Sequence, residues 1–277
     1  MDKSKYKIGR VADLIGITPE ALRYYEREGI ITPIKSEGSG YRYYSAWDVH
    51  ILIRTRSFRH YGFKLEDTIK TLSSTNLEDT ISYLRFKENV MEKEIEEQKR
   101  LLNQLKRDRR AIDDARINMG KFRVEHRPAM HFIDVQRGYD ILGDKNNLYK
   151  QWIEKVPYVA SGGIFGVNDK PEELRYGLLI EDDFLDIVDS TMMTNTTALP
   201  SCLCITTFFQ SGSDKELSTK MFEPSFRFLE RKKLKIAGDP VARAAFMKRR
   251  EDGSYLSWYQ GWIPFEGDID YCLPINI

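Results

Sequence analysis

Apolar and polar positions change their period twice along the chain, and the changes divide it into three segments. In the first, residues 1–75, apolar residues recur at helical spacing in short runs. "IGRVADLIG" puts Val11, Ala12, Leu14 and Ile15 on one side of a helix that ends at Gly16. Thr18 suits the N-cap of the next helix, with Pro19 at the first helical position, where its missing N–H is not needed. That helix, "PEALRYYERE", stops at Gly29. Two helices joined by a three- or four-residue turn containing Gly form the helix-turn-helix pattern. Pro33 and Gly38-Ser39-Gly40 then punctuate "TPIKSEGSGYRYYS", which suits a small β-hairpin. Ser45 caps a further helix, "AWDVHILIRTRSFRHYG", and Leu65–Leu72 reads as another short one.

The second segment is one long helix. No Gly or Pro stands between Leu77 and Met119, and apolar residues follow a heptad. Ile81, Ile95 and Leu102 share one core position; Leu84, Met91, Leu105 and Ile112 share the other, with Glu88, Gln98 and Arg109 interrupting the seam. A helix of about 40 residues is about 60 Å long. Its narrow apolar stripe calls for a partner helix, most simply a second copy of the same chain through residues 77–116. Gly120 ends the rod.

From residue 121 onward the texture turns strand-like. "FRVEHR", "HFIDVQR", "GGIFGV", "YGLLIE", "CLCITTFFQ" and "DYCLPINI" read as strands, with helices over about 145–156 and 215–235. The order, strand-strand-helix-strand-strand and then strand-helix-strand-strand, suggests a duplicated α+β unit. Pro274 places the last strand at an edge or a bulge. "ERKKLK" at 230–235 and "KRR" at 248–250 read as a solvated helix end and loop, and Asp182-Asp183 as a turn, with a second acidic site as the alternative.

Composition narrows the class without choosing a function. With 277 residues, 41% apolar and 31% charged, the chain is expected to be a soluble, globular protein of more than one domain. It has no apolar run of the roughly 20 residues that cross a bilayer, and no apolar stretch follows "MDKSKYKIGR", so the expected location is the cytoplasm. Cys202, Cys204 and Cys272 are odd in number, sit among apolar residues and lack CxxC spacing, which favours reduced core thiols over a disulfide or metal site. Residues 1–120 carry a net +4 and the remainder −3, a mild asymmetry that fits a nucleic-acid module joined to something else.

Two Arg-aromatic clusters flank the hairpin, Arg23-Tyr24-Tyr25 and Tyr41-Arg42-Tyr43-Tyr44. A core with exposed edges, a nucleic-acid surface and an aromatic ligand cage all fit them. The N-terminal end of the second helix carries Thr18, Glu20, Arg23 and Tyr24, the positions that a recognition helix aims into a major groove. Arg23 and Arg27 lie one turn apart, and Tyr24 and Tyr25, about 100° apart, cannot both be core. In the hairpin, Lys35, Tyr41, Arg42 and Tyr43 supply a wing in which Tyr41 and Tyr43 share one side. Arg54, with Arg56 and Arg59, extends the basic footprint toward phosphates.

"IGRVADLIGITPEALRYYEREGIITP" followed by "GYRYYSAWDVHIL" resembles the MerR family of transcription regulators over roughly residues 6–72 and into the long helix. The resemblance rests on RYYxxxG, a Pro, GYRxY at wing spacing and a capped helix. Lys35 stands where the family usually has Arg, and Ile30-Ile31 replaces a Leu-rich pair. It implies a homodimer on double-stranded promoter DNA that distorts an overlong spacer, so that an inducer lets RNA polymerase use both promoter elements. Metal-sensing branches carry cysteines at the ends of the dimer helix, and residues 73–125 have none; no cofactor or metal is expected.

The last segment resembles the GyrI-like domain of multidrug-sensing regulators, through "FRVEHRPAMHFIDV" and "IDYCLPINI". In that family a last-strand carboxylate, four residues before the Pro, lies in an aromatic pocket and pairs with cations. That position is Asp270 here, where Glu is usual. "YLSWYQGWIPF" supplies Tyr255, Trp258, Tyr259, Trp262 and Phe265 just before it, and Tyr149, Phe165, Tyr176 and Phe208 are further candidates. Aromatic faces and one carboxylate together attract a lipophilic cation, so a small aromatic or cationic ligand is the expected effector.

The expected architecture is therefore an α+β multidomain chain: a winged helix-turn-helix over 1–75, a coiled-coil dimerisation helix over 76–119 and a duplicated α+β, GyrI-like domain over 120–277. The expected function is ligand-responsive DNA binding without catalysis. Some GyrI-like domains hydrolyse ligands, and the alternative is such a hydrolase with Asp270 as general base, although no His or Ser partner pattern accompanies it and His126 and His131 lie on expected strands with no evident nucleophile.

Overall fold

The computed structural model describes residues 5–36, 40–74, 76–138, 140–143, 147–167, 174–212 and 218–268. Asp270, Cys272, Pro274 and the strand expected over "DYCLPINI" lie outside these residues, as do Gly38 and Ser39 of the hairpin turn. Two compact units emerge, Met1–Gln98 and Lys99–Ile277.

In the first unit, β1 (Tyr6–Lys7) leads into α1 (Ile8–Ile15), and α2 (Pro19–Arg27) follows after three residues. Gly16 takes φ +70° in that turn, a left-handed conformation that costs other residues energy. Thr18 caps α2, its side chain accepting from the Ala21 N–H at 3.2 Å. The hairpin forms as β2 (Ile34–Lys35) and β3 (Arg42–Tyr44), and among the described residues β1, β3 and β2 make a small antiparallel sheet. α3 (Ala46–His60) starts with a capping box in which Ser45 and Asp48 satisfy each other's backbone N–H. α4 (Leu65–Ser73) follows. Val11, Ala12, Ile15, Leu22, Ile31, Tyr44 and Leu52 close into one core, so the wing is anchored by Tyr44 among the helices.

The long helix α5 runs Leu77–Ile117. Met91, Ile95, Leu102, Leu105 and Ile112 of the heptad pattern are exposed on it in the single chain.

The second unit is built on a large antiparallel sheet. Its strands are β4 (Phe122–Arg127), β5 (Met130–Arg137), β6 (Asp140–Ile141), β7 (Val159–Ile164), β8 (Arg175–Glu181), β9 (Thr197–Leu199), β10 (Cys202–Gly212), β11 (Lys235–Ile236), β12 (Val241–Arg249) and β13 (Tyr255–Glu266). The helices are α6 (Leu148–Ile153) and α7 (Glu223–Arg231), shorter than the 145–156 and 215–235 that the sequence suggests. α7 is preceded by a 3-10 turn over Thr219–Phe222. The order across the sheet is β4-β10-β13-β12-β7-β8-β5-β6. With the two-residue strands β6 and β11 set aside, strand–helix–strand–strand occurs twice, as β5-α6-β7-β8 and β10-α7-β12-β13. The two copies meet where β12 pairs with β7. At that seam Gly162 lies so near the opposite strand that an added Cβ would fall 2.3 Å from the Ala242 carbonyl oxygen.

β12 and β13 correct the sequence reading. "KRR" was expected in a loop, but Lys248 and Arg249 pair with Leu256 and Tyr255. "VARAAFMKR" has weak intrinsic strand character, and pairing with the twelve-residue β13 decides its conformation.

Alternation along the strands sorts the core onto two faces. Phe122, Ile205, Phe222, Phe228, Tyr259 and Ile263 pack with α7 on one face, and Ile133, Trp152, Val159 and Ile180 continue that face around α6. The opposite face bears Met130, Phe132, Ile164, Leu179, Cys204, Val241 and Trp262.

Candidate functional site

Two regions carry chemistry. The first is the exposed side of α2 with the adjoining wing. Thr18, Glu20, Arg23, Tyr24 and Arg27 are exposed there, while Tyr25 is half-buried against the helix-turn-helix core. Arg27 lies over the Tyr24 ring, 5.6 Å from its centroid. Arg23 Nη1 donates to Glu20 at 3.1 Å, an i, i+3 pair open to solvent and therefore weak. In the wing, Tyr41 and Tyr43 share one side as their spacing implies, with centroids 5.3 Å apart, and Lys35 is exposed.

Arg42, expected as the wing's basic residue, is paired within the protein. Its Nε donates to Glu26 Oε2 at 2.7 Å, and Lys35 Nζ lies 3.9 Å from the same carboxylate. The hydrogen bond to Glu26 raises the Arg42 pKa. Glu26, which the sequence does not single out, therefore ties the wing to α2. Arg54 is exposed on α3. Arg56 and Arg59, expected to extend the basic footprint, are exposed and also donate to the Ile15 and Phe63 carbonyls, the latter at 2.6 Å.

A second region is a cavity of about 370 Å³. It lies between the far part of α5, Gln104 to Asp114, and the sheet face without α6 or α7. Met130, Pro157, Ala160, Leu179 and Ala245 give it apolar walls, and Tyr158 and Phe184 stand 5.2 Å apart at its rim. A chain of polar contacts crosses the floor. Gln260 Nε2 donates to Glu125 at 3.3 Å, and Arg243 Nη2 donates to Gln260 at 3.2 Å. Arg243 Nη1 donates to Glu181, and Arg107 Nη1 reaches the other Glu181 oxygen at 3.4 Å. Arg243 also stacks over Trp262, 5.5 Å from the ring centroid.

This cavity is not the aromatic cage expected from the sequence. Phe165, Tyr176 and Tyr259 belong to the packed face under α7, where burial also raises the Tyr176 pKa. Their alternation in β8 and β13, and the position of Phe165 just beyond β7, turn them away from the cavity. Tyr149 packs with the α6 cluster, and Tyr255 is half-exposed at the start of β13. Phe208, Trp258 and Trp262 share the cavity's face by alternation, but none lines it. Asp183, within the segment expected to turn, lines the cavity from a 3-10 helix over Asp182–Ile187.

Two thiols lie on the same sheet face, Cys202 and Cys204, with Sγ atoms 3.6 Å apart. Burial pushes the Cys204 thiol up to about 12. His131 Nδ1 lies 3.3 Å from the Thr196 hydroxyl, and its Nε2 lies 3.7 Å from Asp182.

Residues 6–75 match the MerR HTH family of regulatory proteins. The chain is 39% identical over 66 residues to an uncharacterized HTH-type transcriptional regulator of Pseudomonas aeruginosa, and covers 24% of itself and 50% of that relative. It thus spans half the length of this curated relative. It is 26% identical over 176 residues to the transcriptional regulator BrlR of Pseudomonas aeruginosa, covering 62% of this chain and 63% of that one. Over 110 residues it is 31% identical to the mercuric resistance operon regulatory protein of Bacillus cereus, covering 40% of this chain and 82% of that protein. With the winged helix-turn-helix matched and four-fifths of that relative spanned, this chain belongs to the MerR helix-turn-helix family of regulatory proteins.

Proposed function

We propose that the chain is a ligand-responsive, DNA-binding transcription regulator that acts as a homodimer. α2 reads the major groove through Arg23, Arg27 and Tyr24, and Lys35 and Tyr41 of the wing hold the flanking phosphates, with Thr18, Glu20, Tyr25, Tyr43 and Arg54 completing the surface. The observation that carries this reading is the tie between Arg42 and Glu26. It presents the wing and the exposed face of α2 as one preset surface, so little ordering accompanies binding.

The exposed apolar residues Met91, Ile95, Leu102, Leu105 and Ile112 of α5 support pairing with a second copy. A dimer places two such surfaces on a pseudo-palindromic promoter and distorts its overlong spacer for RNA polymerase. The second unit acts as the effector domain, of GyrI-like type, and its cavity takes a lipophilic cation. Glu181 and Asp183 supply the charge and Phe184 the aromatic face.

Fluorescence anisotropy with duplex DNA from upstream of the protein's own gene tests the reading. Tight binding, steeply weakened by salt and lost in Arg23→Ala, is the expected result. Equal binding by wild type and Arg23→Ala overturns it.

A further inference from the structure

The cavity already holds a cation of the protein's own. Arg107, on α5, places Nη1 3.4 Å from Glu181 and Nη2 3.1 Å from Asp183. Its guanidinium carbon sits 5.0 Å from the centre of the Phe184 ring. Two carboxylates and an aromatic face are the groups that recognise a guanidinium or a substituted ammonium ion. We propose that Arg107 is an internal stand-in for the ligand, and that a cationic effector binds by displacing its guanidinium from Glu181, Asp183 and Phe184. The proposal rests on the cation reading of the cavity given above and adds how the site is regulated.

The geometry separates Arg107 from Arg175 and Arg243. Arg175 grips Asp134 with two bonds of 2.7 and 2.8 Å, a forked pair that resists exchange. Arg243 is three-quarters buried, held by Glu181 and Gln260 and stacked on Trp262, so it belongs to the cavity wall. Arg107 instead makes one contact to each of two carboxylates, and its side chain is 47% exposed. A pair of this kind is weak and yields to a better-fitting cation. The ligand class follows: one positive charge on a flat apolar body small enough for about 370 Å³.

Displacement has a consequence for the helix. Arg107 and Arg100 are ion-paired with the strand end and 3-10 segment at the cavity rim, Arg100 through Asp186 at 2.8 Å. A ligand that takes the place of Arg107 removes one of these ties, and α5 continues unbroken from there back to Leu77. The effector is thereby read as a loosened helix rather than as a new contact to it.

Calorimetric titration of the full chain with benzylguanidinium, and with neutral benzylurea as control, decides the matter. Arg107→Met removes the competitor and keeps the stem; it is expected to bind benzylguanidinium about tenfold more tightly than wild type. Arg107→Lys, which keeps the charge, is expected to stay within about twofold of wild type. Benzylurea should bind all three equally weakly, and Glu181→Gln, checked for folding by circular dichroism, should lose the benzylguanidinium signal. Equal or weaker binding by Arg107→Met overturns the internal competitor while leaving a cation cavity in place. Failure of benzylguanidinium to bind either wild type or Arg107→Met overturns the cation reading and this proposal together.

Discussion

Arg42 Nε lies 2.7 Å from Glu26 Oε2, a bond that ties the wing strand to α2 beside the buried anchor Tyr44. Glu26→Gln leaves the size of the residue unchanged and removes its charge. The wing then keeps its Tyr44 anchor but loses its tie to α2, and affinity for operator duplex is expected to fall about tenfold, with little change in the melting curve. Arg42→Ala should do the same, and the double variant should be no worse than either single one. A double-mutant cycle by anisotropy reads this directly.

Arg23 and Lys35 are expected to act on DNA in different ways. Arg23→Ala should weaken operator binding more than binding to random duplex, whereas Lys35→Ala should weaken both alike. The salt slope of Lys35→Ala should fall by about one unit if it neutralises one phosphate. Anisotropy over a series of salt concentrations separates the two.

Leu102 and Leu105 stand exposed on α5, at the two heptad core positions. Leu102→Asp places a charge in the seam of the proposed dimer. The expected outcome is a monomer by light scattering at micromolar concentration, with operator binding lost and α5 still helical by circular dichroism. A variant that remains dimeric would place the dimer contact elsewhere.

Gly162 sits at the seam where β7 meets β12. An added Cβ at 2.3 Å from the Ala242 carbonyl forces two backbones apart, so Gly162→Ala should destabilise the second unit by about 1–3 kcal/mol. Urea unfolding followed by tryptophan fluorescence measures it, because Trp258 and Trp262 lie on the neighbouring β13.

Cys204 provides a test of pH dependence. Burial raises its pKa from an ordinary value of 9.0 to about 12. The folded state therefore holds this proton more tightly than the unfolded state does. The resulting stabilisation is fully present below about pH 9 and is lost as pH rises from there toward about 12. Alkylation at pH 8.5, followed residue by residue in the mass spectrometer, should leave Cys204 unmodified in the folded protein and label it in urea.

The two halves of the molecule were legible to different degrees, for a physical reason. Thr18, Pro19, Gly29 and Ser45 are local signals, because caps and turns are set by neighbours within four residues. The helix-turn-helix, its wing and the long rod could be read from them. Glu26 escaped notice because its partner Arg42 is sixteen residues away. The cavity was harder still. Arg107, Glu181, Arg243 and Gln260 come from one helix and three strands, and each looks like an ordinary surface charge or amide until the sheet brings them together. Aromatic density drew attention to Tyr176 and Tyr259 instead. A domain with two cores needs such rings as filling, and alternation alone decides which face each one takes.

The join between the two strand–helix–strand–strand copies is short. Val241, Ala242 and Arg243 pair with Ile164, Gly163 and Gly162, whereas β10 and β13 run together over nine residue pairs. A sheet stitched this lightly across its middle bends most easily there, like a book at its spine. Arg243 is one of the stitches and also a wall of the cavity, so a ligand in the proposed site would press on the crease. On the proposed ligand-binding reading, guests of different girth would be admitted by opening the angle between the two covers, without repacking either one.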